Sequence, residues 1–154
     1  MNTLRVTSPA FTSEADIPRH YTCDDANIFP GLSWSGIPLE TQSISLVCDD
    51  PDAPHGLFVH GIIWNLPPET TELDEGLEPE AVESLGGMFG VNSYGRREYV
   101  GPCPPSGSHR YYFKVYALDC LLSLPATAMA HELEQAMQGH VLARGELMGR
   151  YSRS

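Results

Sequence analysis

Apolar and polar residues alternate in the stretch that ends at Leu118. Its apolar face carries every second residue, namely His109, Tyr111, Phe113, Val115 and Ala117. This period of two predicts a β-strand with one buried face. The preceding residues, 101–107, are rich in proline and glycine, which exclude a helix and favour a stiff loop. His109 therefore lies where a rigid loop meets an apolar face.

A second loop-to-strand junction has the same design. Residues 49–56 form an acidic, turn-rich loop, and residues 58–66 have the composition of a strand. His60 shares its parity with Phe58, Ile62, Trp64 and Leu66, which predicts that it faces the core. Two histidines would thus be delivered to apolar faces, either as hydrogen-bonded core residues or as ligand-binding groups.

The remaining pattern predicts a mostly β chain with one good helix near the C-terminus. Strands are expected at residues 3–7 and 43–48, with an edge strand at 142–151, and residues 67–92 are expected to form a solvated surface loop. The helix is expected over 128–138, with Thr127 as its N-cap. Its apolar stripe would consist of Met129, Leu133, Ala136 and Met137.

Composition narrows the classes of function. The net charge is −11 and Lys114 is the only lysine, which disfavours nucleic acid and anionic membranes as partners. The 154 residues are most simply one domain, 1–154. Neither a signal-peptide core nor an apolar run of about 20 residues occurs, so we expect a cytoplasmic protein without an integral membrane segment.

The cysteines and known motifs add little chemistry. Four cysteines do not make a disulfide scaffold at this length, and Cys48 and Cys120 have the surroundings of small buried side chains. Zinc-type cysteine spacing and the common hydrolase and nucleotide-binding motifs do not occur. The sequence therefore predicts no cofactor, no metal and no catalytic residue.

The polar groups of the two junctions suit a zwitterionic ligand. Asp50 and Asp52 share parity, so both could face one cavity and hold an amine. His60, His109, Tyr111 and backbone N–H groups near Gly101 could hold a phosphate. An alternative is a metal-dependent hydrolase that uses the two aspartates and two histidines as ligands. The basic pair Arg96–Arg97 would either attract the anion or offset nearby acid.

Several motifs, in order, resemble the phosphatidylethanolamine-binding protein family and its compact bacterial YbhB/YbcL-like, or Raf kinase inhibitor-like, branch. They are TSPAF (7–11), IPRHYTCDDANIFPGLSW (17–34), DPDAP (50–54), FGVNSYGRREY (89–99), GPCPPSGSHRY (101–111) and GHVLARGELMGRYSR (139–153). The resemblance implies a large central antiparallel sheet packed on a smaller sheet, with Greek-key connections and a helix near the C-terminus. It also implies a non-enzymatic head-group pocket for phosphoethanolamine or phosphate.

Position by position, the resemblance assigns the pocket to Asp50, Asp52, Phe58, His60, Gly101, Pro104, Pro105, His109 and Tyr111. It implies that Cys23 and Cys103 approach each other, although a cytosolic setting favours reduced thiols. It further implies a cis bond at Ala53–Pro54, a homodimer in some relatives, and a kinase or protease as a protein partner. Gly61 stands where bacterial relatives often have tryptophan, which would remove bulk beside the pocket.

Overall fold

Two sheets and a helix stack in three layers in the computed structural model, which describes residues 2–153. The strands are β1 (Asn2–Thr3), β2 (Arg5–Thr7), β3 (Leu32–Ser35), β4 (Ser43–Asp50), β5 (Phe58–Leu66), β6 (Glu72–Leu73), β7 (Met88–Phe89), β8 (Gly107–Leu118) and β9 (Val141–Arg153). The helices are α1 (Pro79–Ser84) and α2 (Ala130–Met137), and Arg19–Tyr21 form a 3₁₀ turn.

The larger sheet has six strands in the order β1-β9-β8-β4-β5-β7, and the smaller sheet has the order β2-β3-β6. All of these pairs are antiparallel except β1 with β9, which are parallel. The predicted mostly β class, with a large sheet packed on a smaller one, is therefore confirmed.

The core lies on both faces of the large sheet. One cluster fills the space between the sheets and includes Trp34, Leu46 and Phe113. The second cluster joins the opposite face to α2 through residues such as Trp64 and Leu133. Because both faces are covered, all eight residues of β4 are buried.

The outer edge of β9 is partly covered by the N-terminal segment. Beyond the short pairing with β1, the backbone N–H groups of Leu4, Glu14 and Ile17 donate to β9 carbonyls at 2.9, 2.7 and 2.7 Å. These bonds satisfy carbonyls that an open edge strand would expose to pairing with other chains. The predicted strand at 142–151 thus forms, slightly longer than expected, and is not a free edge.

The helix begins later than its sequence predicts. Residues 125–128 form a turn in which the Ala128 N–H donates to the Pro125 carbonyl at 2.9 Å. Met129, not Thr127, occupies the N-cap position, and its N–H donates to the Glu132 carboxylate at 3.0 Å. Met129 is consequently exposed, and only the rest of the predicted stripe packs on the sheet.

Two other predictions were wrong in detail. The stretch 67–92 contains β6, α1 and β7, and it buries Leu73, Val82 and Phe89 instead of forming a solvated loop. The predicted strand at 3–7 is divided, because β1 joins the large sheet and β2 joins the small one.

Backbone geometry and helix lengths settle two further points. All peptide bonds among residues 2–153 are trans, so the expected cis bond at Ala53–Pro54 is wrong. None of the helices in this range is long and apolar enough to cross a membrane.

Candidate functional site

A cavity of about 420 Å³ opens where β5 and β8 begin. Its walls come from the two strands, the 53–57 loop and the proline-rich loop before β8. The lining residues are Ala53, Pro54, His55, Gly56, Leu57, Phe58, His60, Tyr94, Cys103, Pro105, His109 and Tyr111. The two junctions predicted from the sequence thus meet at one site.

His109 is held in this cavity by a buried carboxylate. Its Nδ1 atom lies 2.6 Å from Oδ2 of Asp50, and the side chains are only 8% and 5% exposed. The other oxygen of Asp50 accepts the backbone N–H of Asp52 at 2.7 Å. Because Nδ1 faces Asp50, the imidazole presents Nε2 as its remaining polar atom.

His60 owes its position to a β-bulge. The pairing of β4 with β5 shifts between Cys48 and Asp49, so that Cys48 faces Gly61 while Asp49 faces Val59. The extra residue breaks the alternation, as bulges do. His60 therefore contacts Tyr111 at a ring separation of 5.3 Å, whereas Ile62 and Trp64 belong to the cluster beneath α2. The predicted common face of these residues was wrong, although His60 does reach the cavity.

Burial is the main influence on the charge of His60. It lowers the pKa of the imidazole below the ordinary 6.5, against hydrogen bonds to the backbone of Val100 and Gly101 and the charge of Asp50. Nδ1 lies 2.7 Å from the Val100 carbonyl and donates to it. His60 is consequently neutral at neutral pH.

This shift makes stability depend on pH. A lowered pKa in the folded state means that the unfolded chain binds the proton more tightly, so stability falls as pH drops from about 6.5 through the folded pKa. We expect a His60→Gln variant to lose less stability than the wild type between pH 7 and about 5 in urea unfolding at matched pH. Identical pH slopes for the two proteins would contradict the assignment.

Tyr111 has the least satisfied polar group of the cavity. Its side chain is almost fully buried, and its hydroxyl has no hydrogen-bond partner in the described range, residues 2–153. Burial, followed by the charge of Asp50, raises the pKa of this phenol well above its ordinary value. The hydroxyl thus remains a hydrogen-bond donor. A buried donor without a partner lowers the stability of the fold unless another group accepts a hydrogen bond from it.

Aromatic side chains from β5 and from the loop at residue 94 form another part of the cavity wall. The Phe58 ring meets Tyr94 edge to face, at a centroid separation of 4.8 Å, and lies 5.0 Å from the His60 ring. Phe58 was expected as an aromatic wall, whereas sequence reasoning missed Tyr94 as a pocket residue. No periodic pattern marks Tyr94, because it lies in an irregular loop whose position depends on β5.

Four predicted site residues do not line the cavity. Asp50 stands behind His109, and Asp52 pairs with Arg110 through contacts of 2.8 and 2.9 Å. The hydrogen bonds from Arg110 lower the pKa of Asp52 to about 2. Gly101 and Pro104 are buried in the adjoining loop. The shared parity of the aspartates therefore does not bring both carboxylates into one cavity.

The proline-rich loop is fastened to the segment that follows the 3₁₀ turn. Cys23 and Cys103 form a disulfide, and the N–H of Cys23 donates to the Pro102 carbonyl at 3.1 Å. The Gly101 N–H donates to the Asn27 side chain at 3.0 Å, and a β-carbon at Gly101 would collide with Tyr21 and Asn27. The implied approach of the two cysteines is correct, and the expectation of reduced thiols is wrong.

The neighbours of the cavity resolve two further questions. Arg96 pairs with Glu98 at 3.5 Å, and Arg97 donates to the Phe89 carbonyl at 3.0 Å. Neither arginine lines the cavity, which favours the charge-balancing interpretation. Gly61 leaves no open space, because Tyr99 lies 3.3 Å from where its β-carbon would be.

The comparison with known families decides the identity of the fold. The pattern of the phosphatidylethanolamine-binding proteins matches residues 7–152. This chain belongs to the phosphatidylethanolamine-binding protein family. Within the family, it is 45% identical to a UPF0098 protein of Methanothermobacter thermautotrophicus, an alignment that covers 97% of this chain and 99% of the relative.

Solved structures agree with this assignment. The fold is similar to that of a putative phosphatidylethanolamine-binding protein homolog from Chlamydia trachomatis, with a TM-score of 0.91, 39% identity and full coverage of both chains. It is also similar to E. coli YbcL, described as a member of the mammalian family, with a TM-score of 0.90 and 26% identity. That comparison covers 98% of this chain and 99% of YbcL.

Proposed function

We propose that the protein is a non-enzymatic binding protein whose cavity takes a small phosphorylated head group, such as phosphoethanolamine. The observation that carries this proposal is the buried hydroxyl of Tyr111, a residue that lines the cavity, since this hydroxyl has no hydrogen-bond partner among residues 2–153. An accepting oxygen of a ligand would satisfy it. Phosphate offers several such oxygens.

The imidazole of His109 supplies the second contact. Asp50 fixes the ring through Nδ1, so Nε2 can donate to the same anion when the imidazole is protonated. Tyr111 and His109 have stacked rings 6.3 Å apart, which suits two donors to one phosphate.

The aromatic wall suits the amine of such a ligand. The sequence suggested that Asp50 and Asp52 would hold it, but both carboxylates are already engaged with His109 and Arg110. A cation near the faces of Phe58 and Tyr94 would be attracted by their ring electrons. The cavity would therefore bind both ends of a zwitterion with different chemistry.

The same contacts favour binding over metal-dependent hydrolysis. Among residues 2–153, the only three-ligand group of metal-binding side chains lies elsewhere, at Asp119, Cys120 and His140. Asp50 and His109 bond to each other, whereas His60 bonds to the Val100 carbonyl and Asp52 pairs with Arg110, so the four side chains do not form one ligand set. A cluster of this kind is better arranged to orient donors than to hold an ion.

Amide NMR titration with phosphoethanolamine tests the proposal. We expect saturable shifts at residues 50–60 and 94–111, with affinity at least about tenfold weaker in His109→Ala and in Tyr111→Phe. Tyr111→Phe is the sharper variant, since it removes one hydroxyl without changing the fold. His131→Ala, on the exposed side of α2, should bind like the wild type.

Binding at full strength by both cavity variants would overturn the assigned site. The absence of shifts at millimolar phosphoethanolamine would overturn the ligand class. The same titration with glycerophosphoethanolamine tells whether the cavity prefers a free phosphomonoester or a lipid-derived phosphodiester. This compound has the same amine as phosphoethanolamine but one fewer ionisable phosphate oxygen.

A further inference from the structure

A second cluster of reactive side chains lies at the opposite end of β8 from the cavity. Asp119 and Cys120 directly follow β8, and His140 directly precedes β9. One ligand atom from each side chain lies within 4.8 Å of the other two. The extended strand between His109 and Asp119 separates the two sites by roughly 30 Å.

A hydrogen bond already joins two of the three side chains. Nδ1 of His140 lies 2.8 Å from Oδ1 of Asp119. Burial, followed by the charge of Asp119, raises the pKa of the Cys120 thiol. One carboxylate is thus the hydrogen-bond partner of the imidazole and a close neighbour of the thiol.

The backbone around the cluster is fixed on both sides. The Asp119 N–H donates to the His140 carbonyl at 3.0 Å, and the His140 N–H donates to the Met137 carbonyl at 2.9 Å. The Ser43 hydroxyl donates to the Cys120 carbonyl at 2.6 Å. The three side chains are therefore presented from a rigid corner, which lowers the entropic cost of gathering them around an ion.

The donor set has the chemistry of a zinc-class site. Thiolate, imidazole and carboxylate are the three side-chain ligands of Zn²⁺, with bonds of about 2.0–2.3 Å. Movements of about 1 Å would bring atoms that lie within 4.8 Å of one another into such a shell. His140 and Asp119 are 45% and 42% exposed, so an ion has access from solvent.

We propose that Asp119, Cys120 and His140 form a binding site for a divalent metal ion of the zinc class. The ion displaces the thiol proton of Cys120 to solvent and bridges the three side chains. Its remaining coordination position is open to water or to a ligand from outside. The site joins the end of β8 to the start of β9, and no zinc-type sequence spacing marks it because the ligands come from two distant stretches.

The thiol chemistry of the chain makes the site testable. Of the four cysteines, Cys23 and Cys103 are paired and Cys48 is fully buried, which leaves Cys120 as the accessible thiol. The chain also provides a matched control in His20, whose Nδ1 lies 3.2 Å from an Asp25 oxygen without a neighbouring thiol.

The experiment is a titration of the whole protein with Zn²⁺, without reductant, by calorimetry and by alkylation of Cys120. We expect one ion per chain, protection of Cys120 from iodoacetamide, and affinity at least about tenfold weaker in Cys120→Ser and His140→Ala. Co²⁺ should give thiolate charge-transfer absorption that Cys120→Ser lacks. His20→Ala and His109→Ala should bind zinc like the wild type.

Three results would overturn the assignment. They are no saturable uptake of Zn²⁺, unchanged affinity in Cys120→Ser, and loss of binding in His109→Ala. The last result would place the ion in the cavity instead. Urea unfolding of each variant separates loss of the site from loss of the fold.

Discussion

Replacing Asp50 with alanine is expected to lower the free energy of unfolding by about 3–5 kcal/mol. The carboxylate is 5% exposed and accepts hydrogen bonds from the His109 ring and from the Asp52 N–H. Its removal leaves the buried His109 donor and the partly buried Asp52 N–H without partners, and an unsatisfied buried group costs its full desolvation energy. Urea unfolding measures the loss.

Asp52 provides the matched control from the same loop. Its side chain is 28% exposed and pairs with an Arg110 that is 43% exposed, so solvent screens the interaction. We expect Asp52→Ala to cost about 1 kcal/mol. Asp50→Asn should fall between the two, because it keeps one accepting oxygen. Equal losses for Asp50→Ala and Asp52→Ala would show that the Asp50–His109 contact does not stabilise the fold as described.

Reducing the Cys23–Cys103 disulfide is expected to destabilise the fold by about 4 kcal/mol. The two cysteines are 80 residues apart in sequence, so the bond removes much of the conformational freedom of the unfolded chain. The measurement is urea unfolding with and without dithiothreitol. Cys48 and Cys120 are free thiols and form no second crosslink, so the reductant acts on the Cys23–Cys103 bond alone.

The double variant Cys23→Ser/Cys103→Ser separates this effect from other actions of the reductant. Its stability should match that of the reduced wild type and should not respond to dithiothreitol. A wild type whose unfolding is unchanged by dithiothreitol, with the bond shown to be broken by mass spectrometry, would contradict the prediction.

Periodicity predicted the strands that carry the site because they are long and strongly patterned. In β8, every second residue from His109 to Ala117 is buried, as the alternation predicted. The bounds predicted for β5 are those observed. Each strand has one face in the core between the sheets, and burial of that face leaves a signal in the sequence.

Features that depend on a distant partner left no such signal. The bulge at His60 arises from the pairing of β4 with β5, and it reverses the faces of Ile62 and Trp64. Asp52 shares the parity of Asp50, but its carboxylate forms a salt bridge with Arg110 on β8 and does not line the cavity. Local sequence spacing specifies neither contact.

The sequence alone therefore determined the β-rich class, the two loop-to-strand junctions, and a cavity set that includes His60, His109 and Tyr111. These follow from local rules, since alternation, proline and glycine act on the backbone within a few residues. Tertiary structure alone decided that Asp50 supports His109, that Tyr94 joins the cavity, and that Cys23 is bonded to Cys103. Each of these contacts joins segments far apart in sequence, and packing of the sheets and loops sets the distance between them.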